Sequence, residues 1–178
     1  MMRTSTYIFI FFSVIALAGC STTKSVPDND RLYTGASVSV EGPGLSSKQK
    51  KVLKNDLKGL TRPRPNSNLL GIPFKLGIYN LFRNKEKGLF KTIRNKFGEP
   101  PVLFSQFDMN NNIQVLDSYL ENKGFFDAEV TGDTTVKGKK ASAKFLAKTA
   151  TQYLIDTVFF PDDSSDLERT IAAAQPNS

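Results

Sequence analysis

The sequence predicts an α+β domain in the order strand, helix, helix, strand, strand, with a long insertion between the two helices. Three observations carry this. Ala36, Val38 and Val40 alternate with Ser37, Ser39 and Glu41, the period of a strand with one buried face. Two segments, near residues 46–60 and 109–123, repeat apolar residues at helical spacing. Two further alternating runs, around Ala128–Val130 and Ala143–Ala147, flank a turn at Lys137-Gly138-Lys139.

Ahead of these elements, Arg3 and a largely apolar run from Tyr7 to Ala18 lead into Leu17-Ala18-Gly19-Cys20. A positive start, a short hydrophobic core and small residues before a cut site make a bacterial secretion signal over residues 1–19. The core falls short of the roughly 20 residues that a membrane-spanning helix needs. Leu-Ala-Gly-Cys also resembles the lipobox of bacterial lipoproteins, which implies that Cys20 carries a diacylglyceryl group and becomes the new N-terminus. Several acyl chains on one residue hold a protein stably on a bilayer, whereas one does so only marginally. Cys20 is the only cysteine, so its lipidation would leave no thiol for a disulfide or a nucleophile. Residues 20–30 are polar and aperiodic and read as a tether.

The first strand ends at Gly42-Pro43-Gly44, and Ser46 with Gln49 three residues on has the capping-box pattern of a helix start. Val52, Leu53, Leu57 and Leu60 form that helix's apolar stripe. From about 61 to 108 the pattern turns irregular. Arg62-Pro63-Arg64-Pro65-Asn66 should be extended, because proline removes a donor and biases its predecessor away from helix. Leu89, Phe90, Ile93 and Phe97 share one helical face, and Gly98-Glu99-Pro100-Pro101 stops that segment. In the second main helix Ile113, Leu116 and Leu120 make the stripe, and Gly124 stands where a left-handed C-terminal cap belongs. The expected core is Val38, Val52, Leu57, Leu116, Leu120, Phe126, Val130 and Phe145. Tyr153–Phe160 reads as another strand and Asp166–Ala174 as the opening of a helix, so residues 151–178 are expected to begin a second, truncated unit after a first one at 31–150.

Composition narrows function. The chain holds no His and no Trp. That removes histidine bases, histidine or thiolate metal ligands and Ser-His-Asp triads. Carboxylate pairs are the remaining route to acid–base chemistry, and the acidic residues sit mostly in polar stretches with nothing to single out a partner. A non-enzymatic protein without metal, cofactor or small-molecule substrate is expected. Charge is uneven: residues 48–97 carry 14 Lys and Arg against Asp56 and Glu86. For an exported protein, anionic headgroups or lipopolysaccharide phosphates suit such a segment better than nucleic acid. Lys85, Lys87, Lys91, Arg94 and Lys96 alternate with apolar residues, as in a surface lying on an anionic bilayer. The alternative is that the apolar residues pack this connection onto the sheet while the cations face solvent.

The run Leu116-Asp117-Ser118-Tyr119-Leu120-Glu121-Asn122-Lys123-Gly124-Phe125-Phe126-Asp127-Ala128-Glu129-Val130 resembles the signature of POTRA domains, in which a leucine-bearing helix ends at Gly and runs through an aromatic pair into a strand. Leu32-Tyr33-Thr34-Gly35-Ala36, Arg62-Pro63-Arg64-Pro65-Asn66, Gly71-Ile72-Pro73-Phe74-Lys75-Leu76, Ile78-Tyr79-Asn80, Gly98-Glu99-Pro100-Pro101-Val102 and Tyr153-Leu154-Ile155-Asp156-Thr157-Val158 are similar to segments of the TamL-like lipoproteins of Bacteroidota, within the BamA/TamA superfamily of outer-membrane assembly factors. The resemblance implies a POTRA-like unit with Leu116, Leu120, Gly124, Phe125, Phe126 and Val130 as its signature. It also implies a lipid-anchored, periplasm-facing place at the outer membrane and a role docking assembly partners or client polypeptides. Members carry further POTRA domains and a 16-stranded barrel, and no succession of alternating strands follows Phe160 here. Barrel-dependent activity does not carry over to these residues. A stand-alone envelope lipoprotein with a basic surface is the competing expectation.

Overall fold

The computed structural model describes residues 22–157. Cys20, the signal segment and the expected helix at Asp166–Ala174 lie outside them. The fold is α+β. Strand β1 (Leu32–Glu41) is followed by α1 (Ser47–Leu60), α2 (Phe74–Leu81) and α3 (Gly88–Phe97). A single 3-10 turn at Phe104–Gln106 leads into α4 (Met109–Asn122) and the strands β2 (Glu129–Lys137) and β3 (Lys140–Lys148).

The three strands form one sheet in the order β1-β3-β2, with β1 parallel and β2 antiparallel to β3. Gly138, at φ +56°, takes the first position of the two-residue turn that joins β2 to β3 and supplies the positive φ such turns need. Period-2 alternation sends Ala141, Ala143, Phe145 and Ala147 to one face of β3, all buried. Small alanines there let α1 and α4 approach the strands closely. The opposite face carries Lys144 and Lys148 and is exposed, so the domain is two layers with one solvated sheet face.

Ser46 caps α1 as its sequence predicts: its side chain accepts from Gln49 N–H at 3.3 Å while Gln49 Oε1 accepts from Ser46 N–H at 2.9 Å. Leu53 and Leu57 of α1 meet Leu116 and Leu120 of α4, Phe125, Val38, Val130 and Phe145 in the main core. Two expected core residues fall outside it. Val52 is 53% exposed, because it sits about 100° around α1 from Leu53 and the buried stripe runs Leu53, Leu57, Leu60. Phe126 is 63% exposed and leans on Tyr153, with ring centroids 5.5 Å apart; its neighbour Phe125 takes the core position. Gly124 makes that exchange sterically open. At φ +85° it reverses the chain after α4, and a Cβ there would collide with the Tyr153 carbonyl.

Residues 22–30 do not hang free as a tether. Val26 is buried against Leu32 and Leu76. Ser25 bonds Asn80, the Arg83 guanidinium donates to the Lys24 carbonyl, and Asp28 pairs with Lys139 at 2.6 Å. The expected strand from Tyr153 forms no strand over the described residues 153–157. Tyr153 N–H bonds the Gly124 carbonyl at 2.8 Å, and Leu154 and Ile155 point to solvent.

Candidate interaction surfaces

The insertion is tied down at its neck by two buried asparagines. Asn112 of α4 accepts Arg62 N–H and donates to the Arg62 carbonyl, each at 2.7 Å, beside the cis Arg62–Pro63 bond. Asn66 donates to the Pro100 carbonyl at 2.7 Å and accepts Val102 N–H at 2.9 Å. The two proline-rich runs, 62–66 and 98–102, therefore meet, and Ser67 adds a bond to Glu99. Beyond them Leu103 bridges Leu32 and Tyr33 N–H bonds the Val102 carbonyl at 2.8 Å, which covers the outer edge of β1 at its start.

Past the neck, α2 and α3 form an antiparallel helical hairpin. Phe82 stacks on Phe90 at one end, with centroids 5.1 Å apart, and Glu99 N–H bonds the Lys75 carbonyl at the other. The sequence missed α2, whose inward residues are only Leu76 and Asn80. The expectation that the hairpin's apolar residues pack onto the sheet while its cations face solvent is met by Leu76, which is buried against Leu32 of β1, and by the exposed lysines, but not by most of the other apolar residues. Leu76 is buried, whereas Phe74, Leu81, Leu89, Phe90 and Phe97 are exposed and α3 buries no residue. Among the described residues the one ion pair is Lys139–Asp28, so Lys85, Lys87, Lys91 and Lys96 neutralise no carboxylate there. Arg94 differs from these four. Its guanidinium donates to the Arg83 carbonyl at 2.8 Å and to Asn95 at 3.2 Å, and it is half-buried. Its role here is to join α3 to the end of α2.

The signature run forms a second surface, along β2. Leu116 and Leu120 are fully buried, Phe125 and Val130 nearly so. Asp117, on the flank of α4, accepts Val130 N–H at 2.9 Å. That amide points away from β3, since alternate residues of an edge strand face outward. Burial holds the Asp117 carboxyl above its ordinary value, the Val130 bond opposes this, and Glu121 and Glu129 push it up further. Thr134 N–H, on the same outer edge, bonds its neighbour Asp133 at 2.7 Å. Beyond Val130, β2 presents an edge with no neighbouring strand among the described residues.

A third feature is an open groove of about 460 Å³ between α1 and α4, floored by Val52, Leu53, Tyr119 and Phe125. Its polar rim includes Asp56, which accepts the Tyr119 hydroxyl at 3.0 Å. Among the described residues no group of three or more His, Cys, Asp or Glu could hold a metal ion, and no helix is long and apolar enough to cross a membrane. No family model matches the sequence, and no curated protein or solved structure matches it closely enough to carry a comparison.

Proposed function

We propose that this protein is a lipid-anchored, periplasm-facing scaffold module of an outer-membrane protein assembly or translocation factor, POTRA-like in its folded part. It docks partners or client strands along the open edge of β2. The observation that carries the reading is the junction of signature and edge. Buried Leu116 and Leu120, the reversal at Gly124 and buried Phe125 deliver the chain into an edge strand that Asp117 caps at Val130. A strand added there would gain main-chain hydrogen bonds with little demand on its sequence, which suits a binder of many clients.

Thr134→Pro tests the docking mode. Thr134 N–H faces away from β3, so proline there spares the ladder while blocking an incoming strand. Titration with a peptide of about ten alternating apolar and polar residues, the length of a barrel strand, should show binding to the native protein and none to the variant. Equal binding by both would end the edge-strand reading. Membrane anchoring has its own test. Mass spectrometry of the membrane-purified protein should find an acylated Cys20 peptide with residues 1–19 gone, and Cys20→Ala should leave the membrane fraction. The exposed cations of α3 favour a second reading, a stand-alone envelope lipoprotein holding anionic lipid or lipopolysaccharide. In-frame coding sequence for another POTRA unit and barrel strands after Ser178 would decide for the first.

A further inference from the structure

Amphipathic helices ordinarily turn their apolar stripe to the core. In α3 most of the apolar stripe is turned outward, and α2 adds two exposed apolar residues beside it. Phe74 and Leu81, seven residues apart on α2, share an exposed face, and Phe90 and Phe97 do the same on α3. Exposed apolar surface of this extent on a helical hairpin marks an interaction site. The charges around it narrow the partner: Lys85, Lys87, Lys91 and Lys96 are exposed and have no carboxylate partner among the described residues. Outward apolar rings set among lysines are the composition of helices that lie in an anionic membrane interface.

An independent observation places the anchored end of the chain beside this hairpin, on the inward side of α2 that holds Leu76 and Asn80. The N-terminal segment lies against the same hairpin: Arg83, just after α2, holds the Lys24 carbonyl, Ser25 bonds Asn80, and Val26 packs on Leu76. Cys20 is four residues before Lys24, and four residues of extended chain reach about 14 Å. A lipid on Cys20 would therefore bring the bilayer within reach of the hairpin and of the neighbouring β2–β3 turn, where Asp28 pairs with Lys139. Lys148, paired with Glu41 at the far end of the sheet from Leu32 and Lys140, stands on the opposite side.

We propose that the α2–α3 hairpin is a membrane-docking face, which inserts exposed apolar side chains of both helices into an anionic bilayer and is held there by Lys85, Lys87, Lys91 and Lys96. It rests on the lipid-anchored reading for the bilayer's position. Docking would set the domain upright on the membrane and hold the β2 edge at a defined orientation to it. Tethering through Cys20 raises the local concentration of the face at the membrane, so a weak interaction suffices.

The test uses the mature lipidated protein. Cys20 being the only cysteine, Leu81→Cys, Leu89→Cys and, as control, Lys148→Cys each give one site for an environment-sensitive dye. Each is incorporated into phosphatidylcholine vesicles, or into the same lipid mixed with phosphatidylglycerol, carrying a quencher on the acyl chains. On the anionic vesicles the dyes at Leu81 and Leu89 should be quenched and the dye at Lys148 should not, and added salt should reduce the effect. Reversing all four lysines to Glu should abolish quenching while the protein stays on the vesicles. With the acyl groups removed, each single Lys→Gln neutralisation should lower affinity for anionic vesicles about fivefold. Equal quenching on neutral vesicles, no quenching at Leu81 and Leu89, or quenching at Lys148 overturns the proposal. So does shielding of the two dyes that rises with protein concentration without lipid, which would mean a second copy covers the face. Failure to remain on neutral vesicles speaks against the anchor alone, because salt-sensitive binding to anionic vesicles still reads the docking face.

Discussion

Asn112 holds Arg62 by both of its main-chain polar groups, with Oδ1 accepting the N–H and Nδ2 donating to the carbonyl at 2.7 Å each, while Nδ2 also donates to the Asp108 carbonyl at 2.7 Å. One carboxamide thus fixes the start of the insertion to the helix that follows it in sequence by 50 residues. Asn112 is buried, so removing its side chain takes from the Arg62 main-chain donor and acceptor their partner in a part-buried site. Asn112→Ala should destabilise the domain by about 2–4 kcal/mol in denaturant unfolding, since each group left unpaired costs about 1–3 kcal/mol. Asn112→Asp sets a buried carboxylate oxygen against the Arg62 and Asp108 carbonyls, so it should cost at least as much as Asn112→Ala. An Asn112→Ala variant within about half a kcal/mol of native would mean that water replaces the clamp without loss.

Asp117 and Val130 make a similar arrangement at the sheet edge, with charge added. Asp117's folded pKa is raised, so its ionised form is disfavoured on folding. Its contribution is fully present below the unfolded carboxylate value and is lost as pH rises through the folded one. Asp117→Asn keeps the acceptor for Val130 N–H without the charge. It should be at least as stable as native at neutral pH, with the difference vanishing in acid below about pH 4. Asp117→Ala should instead lose about 1–3 kcal/mol by leaving that amide unpaired. A native protein more stable than Asp117→Asn at pH 7 would contradict the sign.

The aromatic pair after Gly124 separates packing from exposure within two adjacent residues. Phe125 is 3% exposed and Phe126 63%. Phe125→Ala should cost about 3–5 kcal/mol, the range for a buried aromatic. Phe126→Ala should cost under about 1 kcal/mol, from its contact with Tyr153. Leu120→Ala, at full burial, should cost about 2–5 kcal/mol. Similar losses from Phe125→Ala and Phe126→Ala would show that Phe126 is buried in solution.

The contrast between these two phenylalanines also marks how far the sequence could be read. Periodicity and capping are local, so β1, α1, α4 and the β2–β3 hairpin were legible from Val38, Ser46, Leu116 and Gly138. Which of two neighbouring apolar residues turns inward depends on the backbone's angle of approach. Val52 against Leu53 and Phe126 against Phe125 were therefore not legible. Helix α2 shows no apolar stripe because one of its two buried residues is Asn80. The docking of residues 22–30 depends on Asn80, Arg83 and Lys139, all more than 50 residues away. The lysines of the candidate membrane surface were legible as cations among apolar residues. That most of the apolar residues face outward, and that Arg94 belongs to the hairpin's internal bonding, came only with the fold.

Tyr33 carries the sharpest pH prediction. Its ring stacks on Phe107, with centroids 5.2 Å apart, in a cluster with Phe104, and Phe107 in turn meets Phe145. Its hydroxyl is buried and has no hydrogen-bond partner among the described residues. Burial pushes its pKa from 10.0 up to about 12. Because the folded value is the higher one, the neutral form is what folding favours. Its contribution is full below the unfolded value near 10.0 and falls away as pH climbs toward about 12. Tyr33→Phe keeps the stacked ring and removes both the ionisable group and the unpaired hydroxyl, which costs about 1–3 kcal/mol when buried alone. The variant should therefore match or exceed native stability at pH 7. Its advantage should widen between about pH 10 and pH 12, when unfolding of the two proteins is compared in parallel so that lysine titration cancels. A Tyr33→Phe protein that is clearly weaker at neutral pH, and gains nothing in alkali, would mean that the hydroxyl has a partner.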